Sequence, residues 1–136
     1  MPSSQVESVF DGNTLIAMIL RREVSIPGVH FVTPPDFPLQ MGHMAHPRGH
    51  FIRPHAHNAV RQAATSGTQE VLIVRSGKMR VTLYNEGKSL LSVHDLLAGD
   101  VIFLVCGGHA VEALEDLDLV EVKQGPYLGE SEKIPI

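Results

Sequence analysis

The sequence predicts an all-β protein, an antiparallel sandwich or barrel, on three observations. Turn-forming residues recur every eight to twelve positions. Between them stand short β-branched and aliphatic stretches, several of which alternate with period two. No stretch sustains a helical period: TLIAMIL (14–20) has a helix-compatible composition, but the Glu-Val-Ser-Ile-Pro after Arg22 does not continue it.

Taken in order, TLIAMILRR (14–22) and GVHFVT (28–33) read as strands divided by Ile26-Pro27-Gly28. RPHAH (53–57) extends as a strand, and Asn58 to Thr68, rich in Ala, Ser and Thr, is a connector suited to a mobile flap at a barrel mouth. EVLIVR (70–75) and KMRVTLY (78–84) flank Ser76-Gly77 and are expected to pair as a hairpin. In the second of these, Met79, Val81 and Leu83 share one face and Lys78, Arg80 and Thr82 the other. SLLSVH (89–94), VIFLVC (101–106), HAVEAL (109–114) and LDLVEVKQ (117–124) follow, divided by Asn85–Lys88, Leu97–Asp100, Gly107-Gly108 and Glu115-Asp116. The tail GESEKIPI (129–136) is polar and is expected on the surface.

At 136 residues the chain suits one domain, 1–136, able to bury roughly two-thirds of its unfolded surface without disulfide staples. Its single cysteine, Cys106, excludes an intrachain disulfide, fits a reducing compartment and is expected to be a core thiol. The N-terminus lacks a basic and apolar leader pattern, and the longest apolar runs are six residues, so no membrane association is expected. A net charge of −4 without any concentration of Lys and Arg argues against nucleic acid as a partner. A cytoplasmic protein is the expectation.

Five of the eight histidines fall between residues 41 and 57. In a strand, His55 and His57 point to one face and can reach a single metal ion. Glu70 and His109 each begin a later strand and can complete a set of three imidazoles and one carboxylate. Such a set suits one divalent transition metal, Fe, Mn, Ni, Co, Cu or Zn, without choosing among them. Arg53 shares the parity of His55 and His57, so an unbroken strand aims it inward to clamp a carboxylate or phosphate; a bulge at Pro54 aims it at solvent. His43, His46 and His50 are expected in a loop or at a rim.

Gly49, His55, His57, Glu70 and Gly77 reproduce the fixed spacings of the first cupin motif, with twelve residues between His57 and Glu70 where the family usually has three or four. Gly99-Asp100, Gly107 and His109 resemble the second motif, with Val105 where proline is usual, His109 one residue early, and no Asn at the usual later position. The chain thus resembles a small single-domain cupin. The resemblance implies a cupin-type antiparallel β-barrel (double-stranded β-helix or jelly roll), with metal held by His55, His57, Glu70 and His109. It also implies a homodimer paired through edge or N-terminal strands, for which TLIAMIL is an apolar contributor.

Three functions follow as expectations. The first is a metal-dependent isomerase, lyase or oxygenase acting on a small polar, sugar- or carboxylate-like molecule inside the barrel. The second is a metal-free nucleotide-sugar ketoisomerase or epimerase, whose His-Ala-His segment RPHAH resembles and whose histidine moves a proton beside a keto group. The third is a non-enzymatic small-ligand binding or sensing module.

Overall fold

The computed structural model describes residues 6–57, 68–126 and 133–136. Within them the chain forms twelve strands: β1 (Val6–Asp11), β2 (Thr14–Leu20), β3 (Gly28–Phe31), β4 (Leu39–His46), β5 (Phe51–His57), β6 (Glu70–Ser76), β7 (Lys78–Tyr84), β8 (Leu90–Leu97), β9 (Val101–Leu104), β10 (Gly108–Ala113), β11 (Leu117–Gln124) and β12 (Lys133–Pro135). One sheet has the order β12-β5-β10-β7-β8, a second β3-β4-β11-β6-β9, and β1-β2 forms a hairpin of its own. All pairings are antiparallel.

Strands β4 to β11 pass back and forth between the two sheets, with only β7 and β8 consecutive in one sheet, so that β5-β10-β7-β8 faces β4-β11-β6-β9. That interleaving of eight strands is a jelly roll, the double-sheet barrel expected from the sequence. The two sheets close over Leu72, Val74, Met79, Val81, Leu96, Leu104, Val111, Ala113, Leu117 and Leu119. Met79 and Val81 are wholly buried, as the alternation of KMRVTLY requires. Full burial of such a side chain contributes about 1.5–3 kcal/mol, so this cluster holds the sheets together.

Two expectations are corrected and a third is refined. EVLIVR and KMRVTLY do not form a hairpin: β6 pairs with β11 and β9, while β7 pairs with β10 and β8. Gly77 makes the chain cross from one sheet to the other. Its φ is +86°, and a Cβ there would collide with the Asp116 carbonyl. The tail, expected on the surface, adds an edge strand there: Lys133–Pro135 pairs with His57, Ala56 and His55 of β5. Ile134 and Pro135 give this short strand its β character despite the acidic residues before it. Cys106 is exposed, since β9 ends at Leu104 and the thiol sits in the following turn.

The outer face of the second sheet holds a buried polar network. His43 Nε2 donates to Asp118 Oδ2 at 3.0 Å, and Arg75 Nε donates to Asp118 Oδ1 at 2.6 Å. The same guanidinium donates to the carbonyls of Arg21 and Val24. These bonds fasten the segment after β2 across β4, β11 and β6, and they leave His43 with no exposed surface. His43 was expected in a loop or at a rim; it is instead buried within β4. Among the described residues, no helix is long and apolar enough to cross a membrane.

Candidate metal centre and cavity

Period-two alternation on four strands aims the chemistry into the space between the sheets. On β10, His109 and Val111 face inward; on β6, Glu70 and Leu72; on β11, Leu119, Glu121 and Lys123. On β5, His55 and His57 do the same, with His55 opposite His109 in register. The result is a cavity of about 380 Å³. Its polar part carries the three imidazoles, Glu70, Glu121 and Lys123, and its apolar part includes Met44, Ile52, Leu72, Val111 and Leu119.

The donor atoms of His55, His57 and His109 all lie within 4.8 Å of one another. Their rings pack edge-on or stacked, with centroids 4.5 to 5.4 Å apart. Glu70 Oε1 stands 3.0 Å from His109 Nε2 and 3.3 Å from His57 Nε2. All four residues are buried, at 9% exposure or less. Donors around one first-row ion lie about 3–4 Å apart, so ring movements of under about 1 Å bring these groups to bonding distance.

Electrostatics and hydrogen bonding prepare the same arrangement. Burial pushes the Glu70 carboxyl upward, yet hydrogen bonds from His109, His57 and Glu121 outweigh it and hold the group well below its ordinary 4.5. Glu70 is therefore an anion in a pocket of imidazoles. His55 Nδ1 donates to the Arg53 carbonyl at 2.8 Å. That bond places the proton on Nδ1 and leaves the Nε2 lone pair available, the usual support behind a ligating histidine.

The structure brings His55, His57, Glu70 and His109 together and does not bring Arg53 to them. Arg53 is exposed, and its side chain does not line the cavity. The reason is a register shift: His109 pairs with His55 but Val111 pairs with Ile52, so Arg53 and Pro54 together oppose Ala110. This bulge gives the inward position to Ile52. Arg53 acts on the site through its backbone carbonyl.

Of the polar cavity residues, Glu121 and Lys123 were not anticipated, while His46 and His50, expected in a loop or at a rim, line it. His46, at the end of β4, lines the cavity and stacks on His50 with ring centroids 4.0 Å apart and planes 8° from parallel. Glu121 and Lys123 are 3% and 4% exposed, side by side on the inward face of β11. The alternation of LDLVEVKQ carried their signal: if Leu117 and Leu119 face inward, Glu121 and Lys123 must also. The expected flap, Asn58 to Thr68, lies outside the described residues except for Thr68, which is buried.

No family model matches the sequence, and no curated protein matches it. Solved structures do match. Bacillus subtilis oxalate decarboxylase is 20% identical with a TM-score of 0.63, over 82% of this chain and 29% of its own. Lactobacillus farciminis oxalate decarboxylase in its formate complex is 21% identical with a TM-score of 0.62, over 83% of this chain and 33% of its own. KdgF from Halomonas sp. is 22% identical with a TM-score of 0.54, over 71% of this chain and 76% of its own. The chain thus spans a third or less of the decarboxylases and about three-quarters of KdgF, and the likeness is one of fold.

Proposed function

We propose that this chain, a cupin-superfamily domain by its fold, is a metal-dependent enzyme acting on a small polar, sugar- or carboxylate-like molecule in the barrel. The observation that carries this reading is the convergence of three buried imidazoles, with donor atoms within 4.8 Å of one another, beside a buried carboxylate. His55, His57 and His109 would hold one divalent transition ion, with Glu70 joining the shell. Bound there, the ion supplies Lewis acidity, an activated water, or dioxygen chemistry if it is redox-active.

The protein's own groups do the rest. The Arg53 carbonyl orients His55, and the apolar wall of Met44, Ile52, Val111 and Leu119 limits water around the reacting molecule. Glu121, hydrogen-bonded to Glu70, holds that carboxylate in place beside the imidazoles. Oxalate decarboxylase, among the structures similar in fold, lends support to a small acid as substrate.

Cytoplasmic residence and a homodimer belong to the same reading. The β1-β2 hairpin lies outside both sheets and exposes Val9, Phe10 and Ile16, and a lone two-stranded hairpin is only marginally stable. A second copy of the chain is the partner that would cover it.

Turnover tests the enzyme reading. Metal-loaded protein should convert a member of a panel of small hydroxy acids, keto acids and sugar acids, lose that activity to a chelator and regain it on metal addition. Activity that survives complete chelation would favour the metal-free ketoisomerase or epimerase, with His57 or His109 passing protons to Glu70. Metal binding without turnover of any panel member would favour the sensing module.

A further inference from the structure

The end of the cavity away from Glu70 carries a second pair of histidines. His46 stands opposite Leu117 at the start of β11, whereas Glu70 stands opposite Lys123 near that strand's end. On the facing sheet, Gly49 N donates to the Ala113 carbonyl at 2.8 Å and Ala113 N to the His50 carbonyl at 2.9 Å, at the finish of β10. His55 pairs with His109 near the beginning of the same strand. The register of both sheets thus sets His46 and His50 apart, along the barrel, from His55, His57 and His109.

Those two backbone bonds, with Gly49 at a φ of +91°, hold the turn before β5 so that the His50 ring lies flat on His46. His46 is 9% exposed and lines the cavity, and its Nε2 is buried without a hydrogen-bond partner among the described residues. An unpaired buried nitrogen costs free energy that a ligand group can recover. A half-turn about the Cβ–Cγ bond keeps the stack on His50 and presents the other edge of the ring to the cavity. Burial and His50 hold this imidazole below its ordinary 6.5, so at neutral pH one ring nitrogen donates and the other accepts. A hydroxyl does both and pairs with either edge, whereas a carboxylate only accepts.

The neighbouring side chains decide what carries the hydroxyl. Met44 precedes His46 on the inward face of β4, Val29 is the cross-strand partner of Met44, and Phe51 follows His50. All three line the cavity, and Val29 and Phe51 stay exposed at its rim. A ligand that covers them gains from the burial of apolar surface. The Phe51 ring and the Met44 thioether favour an aromatic ring over saturated carbon. We propose that His46 anchors the hydroxyl of a phenolic ring seated among Val29, Met44 and Phe51, at the end of the cavity remote from His55, His57 and His109. This inference goes beyond the metal reading and does not rest on it.

The test is fluorine NMR titration of metal-loaded and of chelated protein with para-fluorophenol. Fluorobenzene serves as the ring without a hydroxyl, and cyclohexanol, read by competition, as the hydroxyl without an aromatic ring. Wild type should bind para-fluorophenol about tenfold more tightly than fluorobenzene, with and without metal, because only the phenol pairs the buried nitrogen. Cyclohexanol should displace it less well than phenol itself does. His46→Phe keeps a flat ring on His50 and should bring the two fluorinated probes to equal affinity, with fluorobenzene binding unchanged. A preference that survives in His46→Phe overturns the inference. So does wild type that lacks the preference, shows it only when metal-loaded, or yields the phenol equally well to cyclohexanol. If His46→Phe fails to fold, the imidazole nitrogen resonances of wild-type His46 decide: para-fluorophenol should shift them and fluorobenzene should not, and the absence of a shift overturns the inference. Wild type that takes up no metal overturns the metal reading instead and leaves this comparison intact.

Discussion

His46 and Asp118 show how single buried groups make this fold sensitive to pH. The His46 imidazole is held below its ordinary 6.5, first by burial and then by His50 stacked beside it. A histidine whose proton affinity falls on folding favours the folded state when neutral. Stability should hold above about pH 6.5 and decline as pH falls from there through the lower folded-state value. Urea midpoints measured across that range should slope in wild type and flatten in His46→Phe; an unchanged slope in the variant would assign the effect elsewhere. Burial pushes the Asp118 carboxyl up, but hydrogen bonds from Arg75, His43 and Ser25 outweigh it and hold the group below 3.8. Its contribution is complete above about pH 3.8 and is lost as pH falls through the folded-state value. Asp118→Asn leaves Arg75 and His43 without their shared anion and should cost about 3 kcal/mol in urea unfolding at neutral pH. A change near zero would mean that the network does not fasten the segment after β2.

At the scale of elements, the decisive feature is where consecutive strands go. Ser76-Gly77 looks like a hairpin turn in sequence, because a turn residue between two alternating stretches is the local signature of both a hairpin and a crossover. Only long-range pairing separates them, and β11 and β10 claim β6 and β7 for different sheets. Gly77→Ala should destabilise the protein by about 2 kcal/mol or more, from the positive φ and the contact with Asp116 together. Thermal melting of this variant unchanged from wild type would contradict the tight crossover. The bulge at Arg53-Pro54 was equally undecidable from the sequence. Proline permits it, but the pairing of Val111 with Ile52 is what turns Arg53 outward. By contrast, His55, His57, Glu70 and His109 were legible because fixed spacings and strand alternation together determine their inward face. Strands β1, β4 and β12 escaped notice: glycine and histidines interrupt LQMGHMAH, and the polar terminal segments lack a long apolar alternation.

At the scale of the whole molecule, a jelly roll gives one cavity wall to each sheet, so imidazoles from β5 and β10 meet a carboxylate from β6 across the barrel. The hairpin outside it gives the proposed dimer its surface. Sedimentation equilibrium should find two chains associated in wild type, and Phe10→Glu with Ile16→Glu should yield monomers that keep their metal content. A monomeric wild type would remove the dimer from the account. The central claim is that three histidines and Glu70 form one metal site, and elemental analysis of untagged, reconstituted protein tests it most directly. Wild type should hold one ion per chain, occupancy should fall as pH drops through about 6, where free imidazoles protonate, and Glu70→Gln should lose less than the double variant His55→Ala/His57→Ala. The double variant should hold none; a full ion per chain in it, or no ion in wild type, would contradict the account.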